Sequence, residues 1–330
     1  MLQTRKDPVS ALYHPADILR RGLEWTREDR SIVLITLAGV TDVSSRAPGT
    51  LMVVADDGRH AGSFSGGCIE AAIASEALEV LAAGRGRIVR YGAGSPYIDV
   101  RLPCGGGIDL LFTPCPDPKA LSQTLALLDA RELATLRVDA DGLTLAAGLS
   151  GTGAFVFRVP PQLRILAYGN GDDLSAFAHL ARCHGALVEA ITPDPEASRE
   201  LMAAGITTHH VYSRTQVPPM HGDRWTAVVF LFHDHDWEES LLPPALGVPA
   251  FYHGAIGSTR THEMRLEMLR HQGVPEPLIA RLRGRIGLIP STRDPALLAL
   301  SVLAEIAAAY RDVTDQRTDS LTGPKVGSVG

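Results

Sequence analysis

A strand-helix-strand pattern in the middle of the chain constrains the fold more than any other feature. Residues 163–168 (LRILAY) and 186–191 (ALVEAI) have the apolar composition of buried strands, and residues 173–184 between them have a helical pattern. The glycine-rich turn Gly169-Asn170-Gly171 joins the first strand to the helix. Parallel strands of this kind are covered by helices on both faces of their sheet. We therefore predict a Rossmann-like, doubly wound parallel-sheet domain in the second half of an α/β protein.

The glycine turn carries only part of the dinucleotide-binding fingerprint. Gly169 and Gly171 fill two of the three glycine positions, but the third position falls on Leu174. The acidic residue expected at the end of the second strand is replaced by Thr192, with Asp194 nearby. The pattern supports the Rossmann fold more strongly than it supports NAD(P) binding. NAD(P) stays open as a cofactor, and an NAD(P)-dependent oxidoreductase is one function that this domain allows.

Two further groups of polar residues follow predicted strands in this half. His233 and Asp234 begin a His-Asp-His-Asp run after the apolar strand 226–232, at the edge where doubly wound sheets bind their ligands. This run could bind a metal or move protons, or it could simply be solvated, and the sequence leaves these alternatives open. Gly257 and Ser258 open another helix, whose N-terminus is a candidate anion site.

The dipeptide Pro160-Pro161 marks the best domain boundary, because proline continues neither a helix nor a strand ladder. A length of 330 residues suggests two domains. We predict a mixed α/β domain over residues 1–160, the Rossmann-like domain over 161–310 and a mobile tail over 311–330. The last predicted helix, residues 296–310, is apolar on most faces. It must be buried in its own domain or against a second subunit, and we expect a homodimer.

One cysteine in the first half lies between a glycine bend and a helix. The stretch Ser65-Gly66-Gly67-Cys68 precedes residues 69–81, which have a helical composition, so Cys68 is expected in the first turn of that helix. The free amides and the positive dipole end of a helix lower the pKa of a thiol and make it a better nucleophile or metal ligand. The alternative is that Cys68 is a small buried residue.

A second cysteine, Cys104, is followed by three glycines at residues 105–107. Consecutive glycines suit a backbone that approaches a ligand or another backbone closely, and two glycine-flanked cysteines in one domain indicate a shared site. Cys115 and Cys183 are expected to be structural, and no CxxC pair indicates zinc. The loop at residues 41–49 is rich in hydroxyl groups and contains Arg46. Such a loop suits ligand phosphates, although it could be an ordinary surface turn.

Charge and hydropathy exclude several classes of function. The formal net charge is −6, and nothing in the sequence suggests a nucleic-acid surface or a polybasic membrane anchor. No uninterrupted apolar run reaches membrane-spanning length, so we expect no membrane insertion. The first residues are charged but lack the apolar core of a signal peptide. We therefore expect a cytoplasmic protein with reduced thiols.

The order of these motifs resembles the xanthine dehydrogenase accessory family, XdhC/CoxI. A Ser/Arg loop between two strands precedes Ser-Gly-Gly-Cys-Ile-Glu at residues 65–70 and Pro-Cys-Gly-Gly at 103–106. A Rossmann domain follows with a His-Asp loop, Gly-Ala-Ile-Gly-Ser, Ile-Gly-Leu and Ala-Glu-Ile. The resemblance spans roughly residues 13–310. The chain departs from the family at residues 42–46, where Asp-Val-Ser-Ser-Arg replaces Gly-Ser-Ser-Pro-Arg, and at Asp172, where the family usually has His.

The resemblance implies a molybdenum-cofactor chaperone. Such a protein binds the cofactor, supports its sulfuration together with a cysteine desulfurase, and delivers it to a xanthine dehydrogenase-type apoenzyme. By resemblance, Cys68 and Cys104 would contact the cofactor, Cys68 at the molybdenum, and the glycine loops would cradle its pterin or phosphate. We expect binding and transfer rather than catalysis, because no acid–base pair for turnover is recognised. The expected cofactor-binding residues are Arg46, Ser65, Gly66, Gly67, Cys68, Glu70, Cys104, Gly105, Gly106, Gly169, Gly171, His233, Asp234, Gly257 and Ser258.

Overall fold

The computed structural model divides the chain into two compact units, Met1–Pro161 and Gln162–Gly330. Four of the expected site residues lie outside the described residues, namely Gly66, Cys68, Cys104 and Asp234. The residues that the structure describes are 5–6, 14–65, 67, 69–95, 105–147, 154–215, 217–233 and 236–315.

The first unit is built on a six-stranded sheet, with a three-stranded sheet beside it. Its helices are α1 (Pro15–Arg27), α2 (Glu70–Ala83) and α3 (Pro118–Asp129). Its strands are β1 (Arg5–Lys6), β2 (Ile32–Thr41), β3 (Leu51–Ala55), β4 (Arg59–Gly62), β5 (Arg87–Gly92), β6 (Gly107–Pro114), β7 (Ala134–Val138), β8 (Leu143–Leu145) and β9 (Phe155–Val159).

The large sheet has the strand order β1-β4-β3-β2-β6-β5, and only the β1–β4 pair is parallel in it. The central strand β2 sends alternate side chains to two different cores, as the two-residue period of a strand requires. Ile32 and Leu34 pack with α1, α3 and the small sheet, whereas Val33 and Ile35 pack with α2. Burial on both faces explains why the sequence of β2 is almost continuously apolar.

Helix α2 begins later than the sequence predicts. Ile69 is its N-cap, and Gly84 ends it in the left-handed conformation with φ 65°, which is typical of glycine at a helix end. The first turn therefore starts at Glu70, one residue later than predicted. The prediction that Cys68 belongs to that turn concerns a residue outside the described part of the chain. Composition favours a helix throughout this stretch, but the preceding glycine bend and its hydrogen bonds delay the start.

The second unit contains one six-stranded sheet and six helices among its described residues. The strands are β10 (Arg164–Gly169), β11 (Leu187–Thr192), β12 (Thr207–His210), β13 (Thr226–Leu231), β14 (Tyr252–Ala255) and β15 (Leu282–Gly284). The helices are α4 (Gly171–His184), α5 (Pro195–Ala203), α6 (Glu238–Leu246), α7 (Thr259–His271), α8 (Glu276–Ile279) and α9 (Pro295–Asp315).

This second sheet is parallel throughout, with the order β12-β11-β10-β13-β14-β15. Ile165 and Ala167 of β10 pack on the face covered by α4 and α9, while Leu166 and Tyr168 pack on the face covered by α6, α7 and α8. The strand order reverses beside β10, and the helices lie on both faces. The predicted Rossmann-like, doubly wound parallel sheet is therefore confirmed, as is the mixed α/β class of the chain.

The last helix is longer than predicted. Helix α9 continues to Asp315, so residues 311–315 are helical and the predicted start of a mobile tail at 311 is wrong. Apolar periodicity ends near residue 310, but the chain has no glycine or proline to stop the helix there. Asp294 caps the start of the helix, because its Oδ1 accepts a hydrogen bond from Leu297 N at 2.8 Å. No described helix is both long and apolar enough to cross a membrane.

Candidate functional site

The loop before α2 is organised around one carboxylate. Glu70 Oε1 accepts hydrogen bonds from Ser63 Oγ at 2.7 Å, from Phe64 N at 2.9 Å and from Ser65 N at 2.8 Å. Glu70 Oε2 accepts from Ser65 Oγ at 2.9 Å and from Ile69 N at 3.3 Å. Phe64 and Ile69, each 2% exposed, anchor the two ends of the loop in the core. The glycine-cysteine stretch is therefore held at both ends.

Glu70 carries its negative charge inside this loop. Burial is the largest influence on the pKa of Glu70 and raises it, but the hydrogen bonds from Ser65 and Ser63 together outweigh burial and lower the pKa to about 2. The side chain is 6% exposed. Its geometry is that of a residue that positions the loop, and the hydrogen bonds occupy both carboxylate oxygens.

The Ser/Arg loop after β2 contacts this first loop directly. Ser45 Oγ donates a hydrogen bond to Phe64 O at 2.9 Å, and Arg46 Nε donates to Ser63 O at 3.3 Å. Arg46 Nη1 also donates to Ser45 O at 3.1 Å. Arg46 is half-buried, so part of its guanidinium remains open to solvent beside the glycine bend.

Gly106, two residues after Cys104, packs against the same Ser/Arg loop. A Cβ on Gly106 would lie 2.1 Å from Val43 O, a distance that only glycine permits. Gly105 has a φ of 72° and is exposed. Arg90 supports this region, because its Nη1 donates to Asp109 Oδ1 at 2.9 Å and its Nη2 donates to Thr41 Oγ1 at 2.9 Å. Three loops of the first unit thus lie together at one end of its large sheet.

These contacts bring together most of the predicted residues of the first unit. Cys68 and Cys104 lie outside the described residues, but each is the sequence neighbour of a described glycine, Gly67 and Gly105. The residues brought together are Arg46, Ser65, Gly67, Glu70, Gly105 and Gly106. Sequence reasoning missed Ser45, Ser63, Arg90 and Asp109, whose partners are set by strand register and loop packing rather than by a local motif.

In the second unit, a carboxylate of the same unit is hydrogen-bonded to the turn where a dinucleotide would bind. Gly171 N, the first amide of α4, donates a hydrogen bond to Asp194 Oδ2 at 3.1 Å. Asp172 and Asp173 lie in the first turn of the same helix. A pyrophosphate normally binds at this end of a Rossmann helix, and three carboxylates here would repel it. Glycine at position 169 allows close packing, because a Cβ there would lie 3.0 Å from the Leu231 side chain.

A large pocket opens elsewhere along the same edge of the sheet. Its volume is about 1030 Å³, and it lies after the carboxyl ends of β13, β14 and β15. The pocket brings together His233, Gly257 and Ser258 of the predicted residues, whereas Gly169 and Gly171 do not line it. His233 Nε2 is hydrogen-bonded to Asp173 Oδ2, which connects the end of β13 to the first turn of α4.

The described residues hold no group of three or more His, Cys, Asp or Glu side chains arranged to bind a metal ion. His233 is described, but Asp234 and His235 lie outside the described residues, so the metal interpretation of that run stays a prediction.

Comparisons with known proteins agree with this architecture. Residues 165–306 match the family model of the XdhC Rossmann domain, and residues 25–92 match that of the XdhC and CoxI family. The molybdenum cofactor insertion chaperone PaoD of Escherichia coli (strain K12) is 36% identical over 297 residues, covering 88% of this chain and 87% of the relative. A solved structure of a protein named as a xanthine dehydrogenase from Bacillus halodurans has a TM-score of 0.74 at 19% identity, and the match covers 91% of this chain and 96% of that chain. That last likeness concerns the fold alone. The family matches and the extent of the identity show that this chain belongs to the XdhC and CoxI family.

Proposed function

We propose that this protein binds molybdenum cofactor, supports its sulfuration and delivers it to a xanthine dehydrogenase-type molybdoenzyme. The observation that carries the proposal is the meeting of three loops in the first unit, through Arg46 with Ser63 and Val43 with Gly106. These loops adjoin both glycine-flanked cysteines in the sequence. The 36% identity to a chaperone named for molybdenum cofactor insertion supports the same role.

The chemistry of the first unit suits such a ligand. Molybdenum bound to a pterin dithiolene is a soft centre, and cysteine thiolates prefer soft centres. We assign Cys68 and Cys104 to this end, with Ser65, Gly66, Gly67, Gly105 and Gly106 as the backbone that approaches the ligand. Arg46 supplies a forked cationic donor beside them, and Glu70 keeps the loop in position. The first unit, residues 1–160 in the sequence prediction, is therefore the cysteine-bearing cofactor domain of the proposal.

The proposed role requires two partner proteins, and the chain itself binds and transfers the cofactor without catalysing a reaction. A cysteine desulfurase would supply the sulfur, and an apoenzyme of the xanthine dehydrogenase type would receive the cofactor in the cytoplasm.

The protein itself would act as a homodimeric carrier. Leu297 and Leu300 of α9, 39% and 52% exposed, are apolar side chains that a second subunit would cover. Sedimentation of the full chain as a monomer would contradict the dimer.

Binding is tested by titrating the purified protein with molybdenum cofactor released from a molybdoenzyme. Cys68→Ser and Cys104→Ser should each weaken binding at least about tenfold, because each removes one soft ligand. Cys115→Ser and Cys183→Ser are matched controls, since both of these cysteines are free and exposed. The cysteine assignment is wrong if all four variants bind as tightly as the wild-type protein.

Sulfuration and delivery are tested separately from binding. A xanthine dehydrogenase-type apoenzyme is incubated with the loaded protein, with and without a cysteine desulfurase and cysteine. We expect active enzyme only when the desulfurase is present. Equal activity from free cofactor at the same concentration would contradict a delivery role.

A further inference from the structure

We propose that the pocket at the N-terminus of α7 binds the phosphate group of a ligand, either a pterin phosphate monoester or a nucleoside diphosphate. The proposal rests on the proposed function for the identity of the ligand.

Two long helices begin at the carboxyl edge of the second sheet beside candidate ligand residues, and their N-termini differ in charge. At α4, Asp194 accepts from the Gly171 amide, and Asp172 and Asp173 lie in the first turn. The first turn of α7 contains no acidic residue. A helix N-terminus attracts anions through its free amides and its dipole. At α4, carboxylates of the chain already occupy this position, whereas the N-terminus of α7 can still accept an anionic ligand.

The start of α7 has the geometry of an anion cradle. Ser258 is the N-cap, and its Oγ accepts a hydrogen bond from Thr261 N at 3.1 Å. Gly257, with a φ of 135°, brings the chain into the helix, and Gly257, Ser258 and Thr259 are exposed along the pocket. The cap satisfies one amide of the first turn and leaves the preceding amides, which have no acceptor within the helix, for a ligand.

A buried arginine lies close to this cradle and also indicates an anion site. Arg265 and Glu238 form a bidentate pair, Nε to Oε2 and Nη2 to Oε1, both at 2.6 Å, with side chains 2% and 1% exposed. The third nitrogen, Arg265 Nη1, is buried and has no hydrogen-bond partner within the described part of the chain. A Cβ on Gly257 would lie 3.2 Å from this nitrogen. A buried cationic donor without a partner is costly, and an anion at Gly257 would offset that cost.

A second cation, Arg285, also lines the pocket. It is exposed and follows β15 directly. It has no carboxylate partner among the side chains that the structure describes. Its φ of 56° is unusual for a residue with a side chain, and such conformations concentrate at functional positions. The volume of about 1030 Å³ is at the upper end of ordinary ligand pockets, so a nucleotide-sized molecule fits.

The test uses the full-length protein and calorimetric titration with pyrophosphate at low ionic strength. Thr259→Glu places a carboxylate in the first turn of α7, where it favours the helix dipole but repels an anion. Thr259→Gln is the neutral control of similar size. Arg285→Gln removes the cation that lines the pocket. Arg270→Gln is its control, because it removes an exposed cation from the last turn of α7.

We expect Thr259→Glu and Arg285→Gln to weaken pyrophosphate binding at least about tenfold, and the two controls to bind within about twofold of the wild-type protein. The melting temperature of Thr259→Glu should be unchanged or higher, which separates lost binding from lost folding. The proposal is overturned if the wild-type protein gives no heat at millimolar pyrophosphate, or if Thr259→Glu binds like Thr259→Gln.

Two further arms identify the source of the phosphate and separate this proposal from the proposed function. Molybdenum cofactor and cytidine diphosphate are each titrated into Thr259→Glu and Thr259→Gln. The ligand that binds Thr259→Glu more weakly than Thr259→Gln identifies the class of phosphate that the pocket takes. If the wild-type protein binds either ligand and Thr259→Glu weakens neither, the phosphate site is wrong. If pyrophosphate binds as expected but the cofactor does not bind the wild-type protein, the phosphate site stands and the proposed function fails. If Cys68→Ser loses the cofactor but keeps pyrophosphate, both proposals are supported.

Discussion

Glu70 Oε1 accepts a hydrogen bond from Ser63 Oγ at 2.7 Å, which ties the first residue of α2 to the residue that follows β4. Four further hydrogen bonds from the same loop reach the Glu70 carboxylate. A single buried side chain therefore sets the path of the glycine-cysteine loop.

Replacing Glu70 with glutamine should destabilise the protein at neutral pH. The amide group accepts through only one oxygen, so some of the loop donors lose their partner, and we expect a loss of about 1–3 kcal/mol in the free energy of unfolding. Urea denaturation measures this change. Glu79→Gln on the same helix is the control, because the Glu79 side chain is 68% exposed. Equal losses for the two variants would refute the anchoring role of Glu70.

The advantage of Glu70 over glutamine should disappear in acid. The pKa of Glu70 is lowered from 4.5 to about 2, although burial, the largest influence, raises it, because the loop hydrogen bonds prevail. A depressed carboxyl pKa gives stability that is present above the unfolded value and is lost as pH falls from 4.5 towards 2. A shift of this size corresponds to about 3 kcal/mol. Unfolding free energies of the two proteins should converge over that window, and a constant difference would contradict the assignment.

His14 should make the first unit sensitive to mild acid. Its Nδ1 accepts a hydrogen bond from Ala16 N at 3.1 Å and caps α1. Burial lowers the pKa of His14 from 6.5 to about 4, so the folded protein keeps the ring neutral while the unfolded chain takes up a proton. Stability is complete above 6.5 and decreases as pH falls towards 4. In His14→Asn the amide oxygen can still cap the helix, so this variant should lack that decrease in denaturation curves.

Alanine at Gly106 should disrupt the meeting of the three loops. The added Cβ would lie 2.1 Å from Val43 O, so one backbone must move, and we expect a loss of about 2 kcal/mol or more. Gly142→Ala is the matched control, because nothing lies within 4 Å of a Cβ at that turn position. Thermal unfolding distinguishes the two. If Gly106→Ala melts at the temperature of Gly142→Ala, the close approach does not matter.

The Gly169-Gly171 turn should not bind a dinucleotide. Asp194 Oδ2 already accepts from Gly171 N at 3.1 Å, and the carboxylates of the first turn of α4 repel a pyrophosphate. In calorimetry with NADH and with NADPH at millimolar concentration, Asp194→Ala should leave the heat of binding unchanged, because neither ligand uses this turn. A micromolar affinity that Asp194→Ala strengthens would contradict this prediction and revive the oxidoreductase alternative.

Much of the fold follows from local pattern. The apolar run of β10, the glycine turn and the run of β11 predict the parallel sheet, and Gly84 ends α2 in the left-handed conformation that only glycine adopts readily. Helix ends were predicted less well. Hydrogen bonds from the Phe64 and Ser65 amides to Glu70 delay the start of α2, and α9 passes residue 310 because no stop residue intervenes.

By itself, the sequence determined the fold class, the family resemblance and the residue types at the candidate site, because each depends on neighbours along the chain. Only the tertiary structure decided which of those residues meet. Arg46 contacts Ser63, and Gly106 packs against Val43, because β2 and β4 end and β6 begins at the same edge of the large sheet. Likewise, the pairing of β10 with β11 places Asp194 at the Gly171 amide. Such contacts join residues far apart in sequence, and no local pattern encodes them.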